Sequence, residues 1–88
     1  MLLRQLEYVL AVDAKRNFSR AAERCCITQP TLSQQIRSLE AVLHIEIFDR
    51  NCLPIKPTMN GRLIIEQARH VVESAYFLLQ PARQIQPN

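Results

Sequence analysis

Leu32, Ile36, Leu39 and Leu43 stand four, three and four residues apart. That spacing sets all four on one narrow stripe of a helix, and the stripe is how the helix reaches a core. At about 100° per residue the opposite face centres on Pro30, Gln34 and Arg37, with Gln29 and Ser33 on its flank. No apolar residue larger than Ala41 interrupts it. Thr28 is placed to cap this helix, and Pro30 in the first turn forfeits no bond, because amides there have no intrahelical partner. A merely solvated face usually carries Glu and Lys, yet neither occurs between Thr28 and Ser38. The outward amides and hydroxyls therefore call for a ligand.

The flanking segments supply the rest of a small core. Leu3, Leu6, Val9, Leu10 and Ala14 predict a helix over 3–15, with Leu2 and Val12 widening its apolar side. Phe18, Ala21, Ala22 and Cys25 predict a second, short helix capped by Ser19, whose small Ala21 and Ala22 permit close approach of another helix. From Ile45 the pattern turns to alternation in "IEIF", turn chemistry in "DRNCLP" and a second extended piece in "IKPT". A two-stranded hairpin fits, and Pro54 and Pro57 keep it at an edge. Thr58 can cap a last helix running to about Leu79, before Pro81 and the polar tail. Such a rod is roughly 30 Å long, more than its own domain needs. Its positions Ile64, Ala68, Val71, Ala75 and Leu78 repeat at 4, 3, 4, 3, beside Ile65, Val72 and Leu79 at every seventh residue. Self-association through this rod and the first helix, at Leu2 and Val9, is the expectation.

At 88 residues the chain suffices for one small core. Five cations (Lys15, Arg16, Arg20, Arg24, Arg37) face one anion, Glu23, between Lys15 and Arg37, whereas residues 38 to 49 carry only Glu40, Glu46 and Asp49. One end of the domain is positive, a field that draws polyanions. Three cysteines without C-x-x-C spacing, and only His44 and His70 beside them, support neither a disulfide framework nor a metal site. Cys25 is expected to pack as a small hydrophobe. The apolar runs are too short for a membrane span, "MLLRQLEY" lacks a signal-peptide pattern, and a cytoplasmic protein is expected. With one glycine there is no phosphate loop, and no nucleophile, base and acid set appears, so neither catalysis nor a cofactor is expected.

Two short helices joined by "CCIT", the second with an apolar inner stripe and an outer face of Gln, Ser, Thr and Arg, meet the requirements of a helix-turn-helix. In a major groove Gln suits adenine, Arg suits guanine or phosphate, and Pro30 and the Thr31 methyl suit a thymine methyl. Thr28, Ser33 and the helix N-terminal amides suit phosphate oxygens.

The order "LRQLEYVLAV", "FSRAAERC", "ITQPTLSQQIRSLE" and "IFDR" resembles the DNA-binding region of LysR-type transcriptional regulators over essentially the whole chain. Within that family "LEYVLAV" and "QPTLSQQIRSLE" are most similar to the peroxide-sensing OxyR branch. The resemblance implies a mainly α fold, a winged helix-turn-helix over 1–57 with a small β-hairpin wing, a long linker and dimerisation helix over 58–80, and a polar tail over 81–88. It also implies a homodimer, able to form a tetramer in the full-length protein, on double-stranded DNA with an interrupted inverted repeat. The base-contacting positions it implies are Gln29, Pro30, Ser33 and Gln34 with Thr31. Ser19, Arg20, Thr28, Arg37, Arg50 and Lys56 are then expected at the DNA backbone or on the wing. Two departures stand out: His44 occupies the usual glycine after the recognition helix, and Leu53 the place of a basic wing residue. The larger effector-binding domain of such regulators is not among these residues, which are expected to be a DNA-binding fragment. Two other readings stay open, a partner-binding module that has lost DNA binding and a thiol switch at Cys26 or Cys52.

Overall fold

The computed structural model describes residues 2–80, and across them runs the order α1 (Leu2–Lys15), α2 (Phe18–Arg24), α3 (Gln29–Leu43), β1 (Phe48–Asp49), β2 (Lys56–Pro57) and α4 (Met59–Leu78). The tail over 81–88 lies outside the described residues. Among the described residues the fold is mainly helical, with one antiparallel ladder pairing Phe48 with Pro57 and Asp49 with Lys56. α1 packs on α2, α3 and α4, and one core gathers Leu6, Val9 and Val12 of α1, Ala21 and Ala22 of α2, Leu32, Ile36 and Leu39 of α3, and Ile65, Ala68 and Val72 of α4.

Helix α2 starts one residue before Ser19. Asn17 is its N-cap in extended geometry, and its Oδ1 accepts the Arg20 amide at 2.9 Å, so the expected cap at Ser19 is corrected: Ser19 sits inside the first turn. The helix closes on Cys26 at φ 61°, where the Ile27 amide returns to the Ala22 carbonyl at 3.0 Å. That six-to-one bond is the Schellman closure, made without glycine. α3 ends the same way. His44 stands at φ 57°, ψ 36°, and the Ile45 amide reaches the Glu40 carbonyl at 3.2 Å, as the missing glycine foretold. A left-handed residue with a Cβ costs about 1 kcal/mol, so His44→Gly is expected to raise the unfolding free energy by roughly that amount. Urea titration checks it, and an equal or lower midpoint would contradict the strain.

The hairpin is shorter than the alternation in "IEIF" predicts. A carboxylate takes the ladder's place: Glu40 Oε2 accepts the Ile47 amide at 2.7 Å and the Phe48 amide at 3.5 Å. On the other side the Ile47 carbonyl accepts the Thr58 amide at 2.8 Å. Thr58 caps α4 as expected, its hydroxyl accepting the Gly61 amide at 2.8 Å and also contacting the Glu46 carbonyl. Gly61 presses on Ile47 so tightly that a Cβ there would stand 2.7 Å from the Ile47 carbonyl carbon and closer still to its oxygen.

α4 has 20 residues, about 30 Å of rod. Four residues expected at a dimer interface are enclosed instead. Val9, Ile65, Ala68 and Val72 are buried in the protomer's own core, because the heptad side of α4 that holds Ile65 and Val72 faces α1. Ile64 and Ala75 are half-buried, while Leu2, Val71, Leu78 and Leu79 lie exposed with Tyr76 and Phe77.

Candidate nucleic-acid interface

The stripe Leu32, Ile36 and Leu39 is fully enclosed and Leu43 emerges at its end, which turns the remaining faces of α3 outward. Gln29, Pro30, Thr31, Gln34 and Arg37 are exposed and Ser33 is half-buried at the edge. Gln34 makes only a long contact, 3.5 Å, with the Ser38 hydroxyl, so its amide is available to a better partner. Thr28 occupies the N-cap position, but its expected capping bond is not made. Its hydroxyl donates to the Thr31 hydroxyl at 2.8 Å, and the side chain leaves the first-turn amides uncapped. Pro30 has no N–H, so the first turn offers the remaining outward amides of Gln29 and Thr31 to an anion.

A shallow depression beside α2 is lined by Lys15, Asn17, Ser19, Arg20, Glu23 and Arg24. Three cations against one anion give it a positive rim. Arg16 does not add to it, since its guanidinium folds back on the Asp13 carboxylate at 3.2 Å and on the Asp13 carbonyl at 2.7 Å. On the hairpin, Lys56 and Leu53 are exposed, Leu53 to 91%.

Arg50 is the clear correction. Expected to reach outward, it turns inward: its side chain is only 20% exposed, Nη1 meets Glu40 Oε1 at 3.2 Å, and the guanidinium lies 5.0 Å over the Phe18 ring. Nε and Nη2 are buried with no partner. The residue that sequence reasoning missed here is Glu40, a carboxylate directly after core residue Leu39. Its signal was a lone acid on an otherwise cation-bearing helix, with an arginine ten residues on; only folding of residues 44–49 brings the two together.

Two of the three thiols, Cys25 and Cys52, are half-buried. Burial pushes the Cys25 thiol above its ordinary pKa, and the Cys52 thiol, donating to Asp49 Oδ2 at 3.3 Å, is pushed up first by that bond. Both shifts lower the thiolate fraction and hence the reactivity. Cys26 is exposed in the turn between α2 and α3. Among the described residues no group of three or more His, Cys, Asp or Glu is placed to hold a metal ion, and no helix is long and apolar enough to cross a membrane.

Residues 3–62 match the family described as "Bacterial regulatory helix-turn-helix protein, lysR family". The chain is 42% identical over 84 residues to a hydrogen peroxide-inducible genes activator of Pectobacterium carotovorum subsp. carotovorum, covering 96% of this chain and 28% of that one. Among solved structures it is similar to a BenM DNA-binding-domain complex with catB site 1 DNA, at TM-score 0.89 and 34% identity, over 97% of this chain and 91% of that one. A complex of the CbnR DNA-binding domain with DNA matches at TM-score 0.81 and 36% identity, over 86% of this chain and 87% of the other. The 88 residues thus span little more than a quarter of the length of the peroxide-inducible relative.

Proposed function

This chain belongs to the LysR family of bacterial regulatory helix-turn-helix proteins, and on that premise we propose that it binds double-stranded DNA sequence-specifically as the DNA-reading part of a dimeric transcriptional regulator in the cytoplasm. The observation that carries the reading is the exposed face of α3, where Gln29, Pro30, Thr31 and Gln34 stand outward with no acidic side chain among them. Gln29 and Gln34 read base edges, and Pro30 and Thr31 offer apolar contact to thymine. Ser33, Thr28 and the uncapped first-turn amides hold phosphate, as do Ser19 and Arg20 on the positive rim, with Arg37 and Lys56 at the margins. Arg50 leaves this set.

A second copy docks on the outward flank of α4, at Ile64, Val71, Ala75, Leu78 and Leu79, with Leu2 of α1 beside it. Two copies then set two α3 helices toward the halves of an interrupted inverted repeat. Residues 1–57 read DNA and 58–80 pair the copies; tetramer formation and effector sensing belong to the rest of a full-length regulator. The role is binding, without catalysis.

Gln29→Ala or Gln34→Ala is expected to reduce discrimination between a selected duplex and a scrambled one by roughly 1 to 3 kcal/mol. Arg20→Ala is the contrasting arm: it weakens both duplexes alike and makes the slope of log affinity against log salt shallower by about one. Fluorescence anisotropy across a salt series separates the two. Equal losses on both duplexes for the glutamine variants would remove them from base reading.

A further inference from the structure

The hairpin cannot fix its own direction. Its ladder has two residues per strand, and an isolated two-stranded ribbon is marginal in water. Phe48 and Ile55 seat it in the core and the Ile55 amide donates to the Arg16 carbonyl at 3.2 Å, and the side chain that reaches from it to the reading helix is that of Arg50. Arg50 directly follows β1, and its guanidinium touches three elements at once: Nη1 meets both Glu40 oxygens of α3 at 3.2 and 3.5 Å, the plate lies 5.0 Å over Phe18 of α2, and the backbone is the hairpin's. The same Glu40 carboxylate holds the Ile47 and Phe48 amides where the chain enters the hairpin. Glu40 therefore anchors the root of the ribbon by its backbone and the outer part by Arg50.

We propose that Glu40 and Arg50 are a positioning pair that sets the angle of the hairpin to α3, and with it the distance along DNA between what α3 reads and what the hairpin touches. This rests on the DNA-binding reading above. Three features point to orientation rather than to stability alone. The pair is mostly buried, at 20% and 11% side-chain exposure, so its partners are not exchanged with water. Arg50 keeps Nε and Nη2 buried without acceptors, a desolvation cost that an arginine free to turn outward would avoid. The planar guanidinium also lies over Phe18 while its Nη1 reaches Glu40, a double contact that the compact ammonium of a lysine is poorly shaped to reproduce. By contrast Leu53, at the exposed end, holds no contact that could fix the ribbon from outside.

The test uses a duplex enriched from a random library by the unaltered chain, footprinted in two ways. Guanine methylation reports the major groove under α3, and hydroxyl-radical cleavage reports the sugar edge where the hairpin lies. Arg50→Lys and the near-isosteric Glu40→Gln are expected to keep the methylation protections, lose the flanking hydroxyl-radical protections, and weaken binding at least about fivefold. A purely stabilising pair would instead lower the melting temperature and leave both patterns intact at temperatures where the variants are folded. Retained flanking protection in both variants, or loss of the two patterns in step, overturns the proposal. If Arg50→Lys does not fold, Glu40→Gln, which keeps the side-chain shape, decides it. If the unaltered chain protects no duplex, the DNA-binding reading fails first and the proposal with it.

Discussion

Gly61→Ala is expected to destabilise the domain by about 3 kcal/mol or more, a fall of roughly 10 to 20 °C in melting temperature for a domain of this size. At an open helical position the same change would help, since alanine is favoured over glycine by about 1 kcal/mol. Here the added carbon would stand 2.7 Å from the Ile47 carbonyl carbon and 2.9 Å from its Cα. The obstacle is backbone held from both sides, with the Ile47 amide on Glu40 and its carbonyl on the Thr58 amide. Relief requires lifting the start of α4 off the hairpin. Circular dichroism melts decide the sign, and an unchanged or higher midpoint would show that α4 does not seat this closely.

Phe48→Ala should cost about 3 to 5 kcal/mol. Phe48 is among the largest fully buried side chains, and its ring meets Phe18 edge to face at 6.2 Å and 82°. The cavity would open beside Phe18, the ring that Arg50 also contacts, so the packing of α2 and the direction of the hairpin loosen together. Urea unfolding should show a lower midpoint, and Phe48→Leu should lose less because it refills part of the volume. Equal losses for the two variants would argue against a volume effect.

How much of this was legible depended on whether one segment or several decided the outcome. The stripe of α3 was readable because its periodicity is local, and Leu32, Ile36 and Leu39 are enclosed as it requires. The strained end at His44 was readable from a missing glycine. The α2 cap was not, because the side-chain oxygens of Asn17 and Ser19 are both competent to accept from helix-start amides and only Phe18 stands between them. The length of β1 was not, since amides that alternate like a strand went to Glu40 instead of a neighbouring strand. The rod misled for a further reason. α4 bears two adjacent apolar stripes, and sequence alone does not tell which residues meet their own domain; Ile65 and Val72 of one stripe and Ala68 of the other do. Arg50 shows the same limit for charge, because an arginine near a basic surface reads as outward until its acid partner is known. The outward face of α3 was readable for the same reason as its stripe, and Gln29, Pro30, Thr31 and Gln34 are exposed on it.

The first and last helices lie against each other, with Arg69 of α4 at 3.8 Å from Asp13 of α1 and the Tyr76 hydroxyl on Glu7, 69 residues away in sequence. This closure makes folding slower than helix content alone suggests. Small helical proteins fold fast when their contacts are local, and each distant contact requires a large loop to close before it is rewarded. During synthesis, which proceeds from the N-terminus, the side of α1 that packs on α4 therefore waits for Ile65, Ala68 and Val72. Until Val72 is delivered, the nascent domain holds an open apolar seam along α1, and that interval is when it is most exposed to aggregation.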